Sequence, residues 1–176
     1  MRDLQDDVEE LARIVRFRFF TPEFLTAYEN RLKAKVDFTG VPIPSILSSS
    51  AAENRDGFAL LKMLVERGAD CGVNDGDVAE GHRENARDAL AMGRKTAVEV
   101  MCKVKGFAVD SEMLKVAVTN RLGVEFCGEL VKHGAALTTD VWRHVINEGD
   151  SQYIEMLMEL GVPPGEVLGD LSRILT

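Results

Sequence analysis

Tryptophan occurs once in these 176 residues, cysteine three times and proline five times. Cys71, Cys102 and Cys127 are odd in number and form no C-x-x-C pair, so a disulfide scaffold is not expected and free thiols of a reducing compartment are. No Asn is followed by x-Ser/Thr, and no apolar run approaches the length of a bilayer span. The first residues, Met1-Arg2-Asp3-Leu4-Gln5-Asp6-Asp7, are acidic and do not read as a secretory signal. The expected location is therefore intracellular, in the cytoplasm, with the nucleus left open. Basic residues are also scarce, 21 Lys and Arg against 29 Asp and Glu, for a net charge of −8. That balance argues against nucleic acid and anionic membrane as partners, because both are held mainly by Lys and Arg.

Known chemical motifs are missing too. The sequence has no G-x-S-x-G, P-loop or G-x-G-x-x-G, so neither a catalytic residue nor a cofactor is expected. His82, His133 and His144 share no ligand spacing with one another or with the cysteines, and no metal site is read from them. Cys102 and Cys127 fall at apolar helix positions and read as small core residues, while Cys71 follows a turn and is expected to be exposed.

What the chain does have is a recurring phrase: an apolar run, a charged pair, then Gly. It reads Leu60-Leu61-Lys62-Met63-Leu64-Val65-Glu66-Arg67-Gly68, then Glu129-Leu130-Val131-Lys132-His133-Gly134, then Glu155-Met156-Leu157-Met158-Glu159-Leu160-Gly161, with a weaker copy at Lys105-Gly106. A shift of 66 residues sets Asn54 on Asn120, Gly57 on Gly123 and Leu64 on Leu130; a shift of 27–28 sets Val145-Ile146 on Ala117-Val118. Such self-similarity marks stacked units, none of which can bury its apolar face alone.

Each unit reads as two helices. Between 109 and 134, Ser111 is the expected N-cap. Leu114, Ala117 and Val118 form a stripe on the first helix, and Phe126, Leu130 and Val131 one on the second. Gly134 closes the unit as a left-handed C′ residue. The unit from 73 to 106 is longer by about ten residues, and its polar, Gly-rich stretch 74–84 predicts an inserted loop before a helix through Ala86, Ala89 and Leu90. A second helix is expected from Thr96 to Val104.

The first forty residues differ. Leu4, Val8, Leu11, Ile14, Val15 and Phe17 give an amphipathic period, and Thr21-Pro22 opens a second helix using Phe24, Leu25, Tyr28 and Leu32. Residues 1–40 are read as a helical cap, with a homodimer through residues 3–20 as the sharper alternative.

Leu60 through Asp70 resembles the second helix and Gly-Ala-Asp ending of ankyrin repeats, and Val145 through Gly161 resembles their inner-helix end, Asn-Gly turn and outer helix. The resemblance covers roughly residues 41–168. The Thr-Pro-Leu-His opening is absent, and the period of 27–28 is short of the family's 33. The pattern therefore resembles the divergent, nearly all-helical arrays of fungal multidomain receptors, with hairpin fingers trimmed to turns. The resemblance implies an all-α, short right-handed solenoid of helix-turn-helix units, spanning about 41–72, 73–108, 109–136, 137–163 and a half-unit 164–176. It further implies protein–protein binding without catalysis, through loops and the first-helix face. The alternatives are a structural, self-associating unit or a sensor fragment of a larger multidomain repeat protein, since the pattern stops in mid-unit.

Trp142 aligns with Leu114 and Ser48, an unusual range of sizes for one core position. It reads either as core or as an aromatic anchor flanked by Arg143 and His144. Lys115 and Thr119 supply the matching surface one unit earlier, and His82 and Arg83 of the long unit complete the candidate partner-binding set.

Overall fold

The computed structural model describes residues 21–43, 45–53, 55–71, 76–161, 165 and 167. The amphipathic 3–20 segment, the Asn54 turn position, Pro44 and the C-terminal stretch Leu171, Ile174 and Leu175 lie outside the described residues. Among those described, the regular structure is helical: α1 (Pro22–Leu32), α2 (Ser45–Glu53), α3 (Arg55–Glu66), α4 (Gly76–Ala91), α5 (Lys95–Met101), α6 (Ser111–Thr119), α7 (Val124–Lys132), α8 (Thr139–Glu148) and α9 (Ser151–Leu160). None of these is long and apolar enough to cross a membrane. The chain divides into two compact units, one of residues 1–89 with 96–107, the other of 90–95 with 108–176.

In the first unit, Thr21 caps α1 by accepting from the Phe24 N–H at 3.2 Å, and Pro22 takes N1. Only part of the expected apolar set turns inward. Leu25 is fully buried, whereas Phe24 and Leu32 are 42% and 37% exposed. The inward face also carries Glu29, buried to 5%. Its carboxylate takes a two-pronged bond from Arg67 beyond α3, Nε to Oε1 at 2.5 Å and Nη2 to Oε2 at 2.8 Å. Lys35 Nζ adds a bond at 3.0 Å and the Val36 N–H one at 3.2 Å. The guanidinium above all, then Lys35 and the Val36 amide, pull the Glu29 carboxyl down to about 2 against the opposing effect of burial.

Arg67 also fixes backbone. Its carbonyl accepts from the Phe38 N–H at 2.8 Å, and Nη1 donates to the Met63 carbonyl at 2.8 Å. Downstream, Asp70 pairs in parallel with Pro42 on one side and Lys105 on the other. The bonds are Asp70 N–H to the Val41 carbonyl (3.1 Å), Ile43 N–H to the Asp70 carbonyl (2.7 Å) and Cys71 N–H to the Lys105 carbonyl (3.1 Å). Three successive inter-helix connections thus lie side by side. Gly68 enters this ladder at φ +88°, where an added Cβ would sit 2.8 Å from the Thr39 hydroxyl, so both dihedral and space require glycine.

The expected loop at 74–84 is a correction: from Gly76 onward it is helix, the first nine residues of α4. Gly76, Gly81 and the acids suggested a loop, but Ala79, Glu80, Arg83 and Glu84 are good helix formers. Arg83 Nε binds Glu80 at 2.7 Å and Arg87 Nη1 binds it at 3.2 Å. The apolar stripe on α4 then begins with a histidine: His82, Ala86, Ala89 and Leu90 are all buried.

In the second unit, α6 packs on α7 and α8 on α9, while α6 meets α8 and α7 meets α9. Two helix pairs are therefore laid first helix to first helix and second to second. The α6 cap is Asp110, whose Oδ1 accepts from Met113 N–H at 2.8 Å, one residue earlier than the sequence suggests. Tyr153 of α9 accepts the Gly123 N–H at 3.1 Å, tying one pair's turn to the other's second helix. Gly134 ends the first pair at φ +108°.

Replacing Arg67 with Ala strands the Glu29 carboxylate, and the expected loss is about 3–5 kcal/mol in urea unfolding. The pH dependence follows from the lowered carboxyl. The pair's contribution is complete above the ordinary value of 4.5 and disappears as pH falls toward 2, on the order of 3 kcal/mol in total. Urea midpoints that stay flat over that range, or that are unchanged in Arg67→Ala, would contradict this assignment.

Candidate interaction surface

Adjacent first helices of the second unit bring four of the seven candidate residues together. α6 carries Lys115, half-buried with Nζ 3.9 Å from Glu112, and the exposed Thr119. α8 carries the exposed Arg143 and the half-buried His144. The two helices are joined by a 2.8 Å bond between His144 Nε2 and Thr119 Oγ1. Thr119 donates its single hydroxyl hydrogen to the Lys115 carbonyl at 2.8 Å, four residues back. His144 must therefore be the donor, with its proton on Nε2. That direction matters chemically. A hydroxyl whose hydrogen is spent on a carbonyl and whose oxygen receives an imidazole N–H is not an activated nucleophile. The pair holds a surface in shape.

Trp142 and His82 are corrections to the surface reading. Trp142 is 0% exposed, packed on α8 among the buried Val141, Val145 and Ile146. It cannot act as an exposed anchor, and the size range at its aligned positions reflects local repacking. Its indole Nε1–H is buried without an acceptor, a cost of about 1–3 kcal/mol carried by the surrounding apolar contact. His82 is 1% exposed in the first unit, with Nε2 2.8 Å from the Ile43 carbonyl and Nδ1 2.5 Å from Ser48 Oγ. Arg83, beside it, is half-buried and engaged with Glu80.

The thiols offer no nucleophile at this surface. Cys71 is buried rather than exposed, and its neighbour Asp70 reinforces the effect of burial; Cys127 is buried in α7. Burial pushes both thiols up to about 12. Among the described residues no three His, Cys, Asp or Glu side chains gather as a metal site. An open cleft of about 500 Å³ in the first unit is lined by Lys35, Val36, Asp37, Thr39, Glu66, Arg67 and Gly68. Arg67 and Lys35 are held there by Glu29, and Asp37 accepts from both the amide and hydroxyl of Thr39.

Two features of the sites escape sequence reasoning. The Thr119–His144 bond joins residues 25 apart that no periodic alignment pairs. The buried role of His82 was signalled only by its spacing, four residues before Ala86 on a helix that composition hid. Comparison of the chain with protein-family models, with curated proteins and with solved structures finds no match.

The buried Trp142 makes a graded prediction. Trp142→Ala should cost about 3–5 kcal/mol of stability. Trp142→Phe, which removes the orphaned N–H along with some area, should cost less than about 1.5 kcal/mol. Chemical denaturation followed by circular dichroism decides: an Ala variant as stable as the parent would return Trp142 to the surface.

Proposed function

We propose that this chain is a non-enzymatic protein-binding module built as a short array of ankyrin-like helix pairs. The partner engages the α6/α8 face of the second unit. The observation that carries the reading is the alignment of Lys115, Thr119, Arg143 and His144 on neighbouring first helices, cross-tied by His144 and Thr119. Arg143 is exposed and enters no printed ion pair, so its charge can be spent on a partner without breaking an internal contact. The array reading is supported by the pairwise helix packing of the second unit and by the Pro42–Asp70–Lys105 ladder of the first. A protein partner suits a chain of net −8 better than nucleic acid does. The location remains an intracellular proposal.

A self-associating role is the second reading, and one observation favours it. Phe24, Tyr28 and Leu32 follow one another at four-residue spacing on α1, with the Phe24 and Tyr28 rings stacked at 6.4 Å and the two flanking residues exposed. The 3–20 segment proposed for the same role lies outside the described residues.

Affinity capture with the full chain as bait, compared with Lys115→Glu/Arg143→Glu, separates the two. The binding reading expects a specific protein that the double variant recovers at least tenfold less, with an unchanged melting temperature. Equal recovery by both baits would remove the α6/α8 face from the reading. Sedimentation of the parent beside Phe24→Glu/Leu32→Glu tests self-association, which fails if both are monomers.

A further inference from the structure

His82 joins three elements at a single buried imidazole. It belongs to α4, its Nε2 meets the carbonyl of Ile43 in the 41–43 connection, and its Nδ1 meets the hydroxyl of Ser48 on α2. A carbonyl only accepts, so Nε2 carries the proton and donates. Nδ1 then presents its lone pair, and Ser48 donates to it. The neutral ring satisfies both contacts with one hydrogen on each side. An imidazolium does not, since it presents a second N–H toward Ser48, whose hydroxyl must turn around, and it places a full charge where 1% of the residue meets solvent.

We propose that His82 is an acid-operated latch: when its imidazole takes up a proton, residues 76–84 of α4 leave α2 and the 41–43 connection. The charged groups on the elements that hold the ring do not offset the new charge. On α4, Glu80 is matched by Arg83 and Arg87, and Glu84 is exposed. On α2 the one acid is Glu53, exposed and five residues past Ser48. The 41–43 connection has no charge, and Asp70, which pairs with it through backbone, makes no contribution at the ring. Burial therefore dominates and lowers the affinity of His82 for a proton, with the Ile43 carbonyl opposing it weakly.

The sign follows. A histidine whose folded value lies below the ordinary 6.5 favours the closed form fully above that pH and progressively less below it. Opening exposes the α4 extension and the Ile43 carbonyl edge. The Ile43 carbonyl is part of the connection that pairs with Asp70, so release reaches the ladder of the first unit and leaves α6–α9 untouched.

Hydrogen–deuterium exchange of the full chain at pH 7.5 and pH 5.5, corrected for intrinsic exchange rates, tests the latch. One pH unit below the free value, opening should rise by up to about tenfold at the amides of residues 80–85. Amides of α6–α9 should keep their protection. The Glu29 carboxyl, at about 2, stays ionised at both pH values and does not contribute. His82→Gln, which can still donate to the Ile43 carbonyl, should abolish the rise. Equal protection at both pH values, or the same rise in His82→Gln, overturns the proposal. If that variant does not fold, the parent's imidazole resonances decide: a ring that titrates near 6.5 with residues 80–85 still protected overturns it, and a ring neutral until those amides open supports it.

Discussion

The contact between Glu29 and Arg67 is the joint on which the first unit depends. A buried carboxylate is tolerable only because guanidinium, ammonium and amide converge on it, and the same guanidinium ends α3 by reaching the Met63 carbonyl. With Arg67 fixed, its carbonyl captures Phe38, whose side chain is fully buried. Phe38 delivers the chain to Val41 and Ile43, these pair with Asp70, and Ile43 presents its carbonyl to His82. Each link sets the position of the next polar group. Apolar burial supplies most of the stability, while the ion pair selects which arrangement the apolar surfaces adopt.

The two units use the same chemical pairing at different depths. Ser48 with His82 and Thr119 with His144 each join a hydroxyl on one first helix to an imidazole on the next. In the second unit the pair is partly in water, the imidazole donates, and a protonated ring would keep the same Nε2–H bond. In the first it is buried, Nδ1 must accept, and protonation reverses a bond. Depth and tautomer, rather than residue type, separate a passive cross-tie from a responsive one.

Much of the local structure was legible because it depends on neighbours in sequence. Thr21-Pro22, the Leu60–Leu64 stripe and the closing glycines Gly68 and Gly134 all act within one or two turns. The misreadings have a common cause. The start of α4 was hidden because a histidine occupies the first core position of its stripe and two glycines flank it, so composition outweighed spacing. Trp142 stayed ambiguous because exposure is decided by what packs around α8, which a single aligned column does not contain. Glu29 and Arg67, 38 residues apart, look like ordinary surface charges until the chain closes on itself. Of the candidate surface, the sequence supplied Lys115, Thr119, Arg143 and His144 but not the bond that makes them one face.

The length of α4 bears on how such a chain can change. It has 16 residues where α2 has 9, a surplus of seven, which is close to two full turns at 3.6 residues per turn. An insertion of that size brings the helix back to the same azimuth, so the side chains after it still point where they did. The connections at 42, 70 and 105 stay in parallel contact although their spacing differs, 28 residues and then 35. Lengthening in whole turns is thus nearly free of consequence for the ladder, whereas two or five added residues would rotate Ala86, Ala89 and Leu90 out of the core. The permitted size changes in this helix are quantised by its pitch.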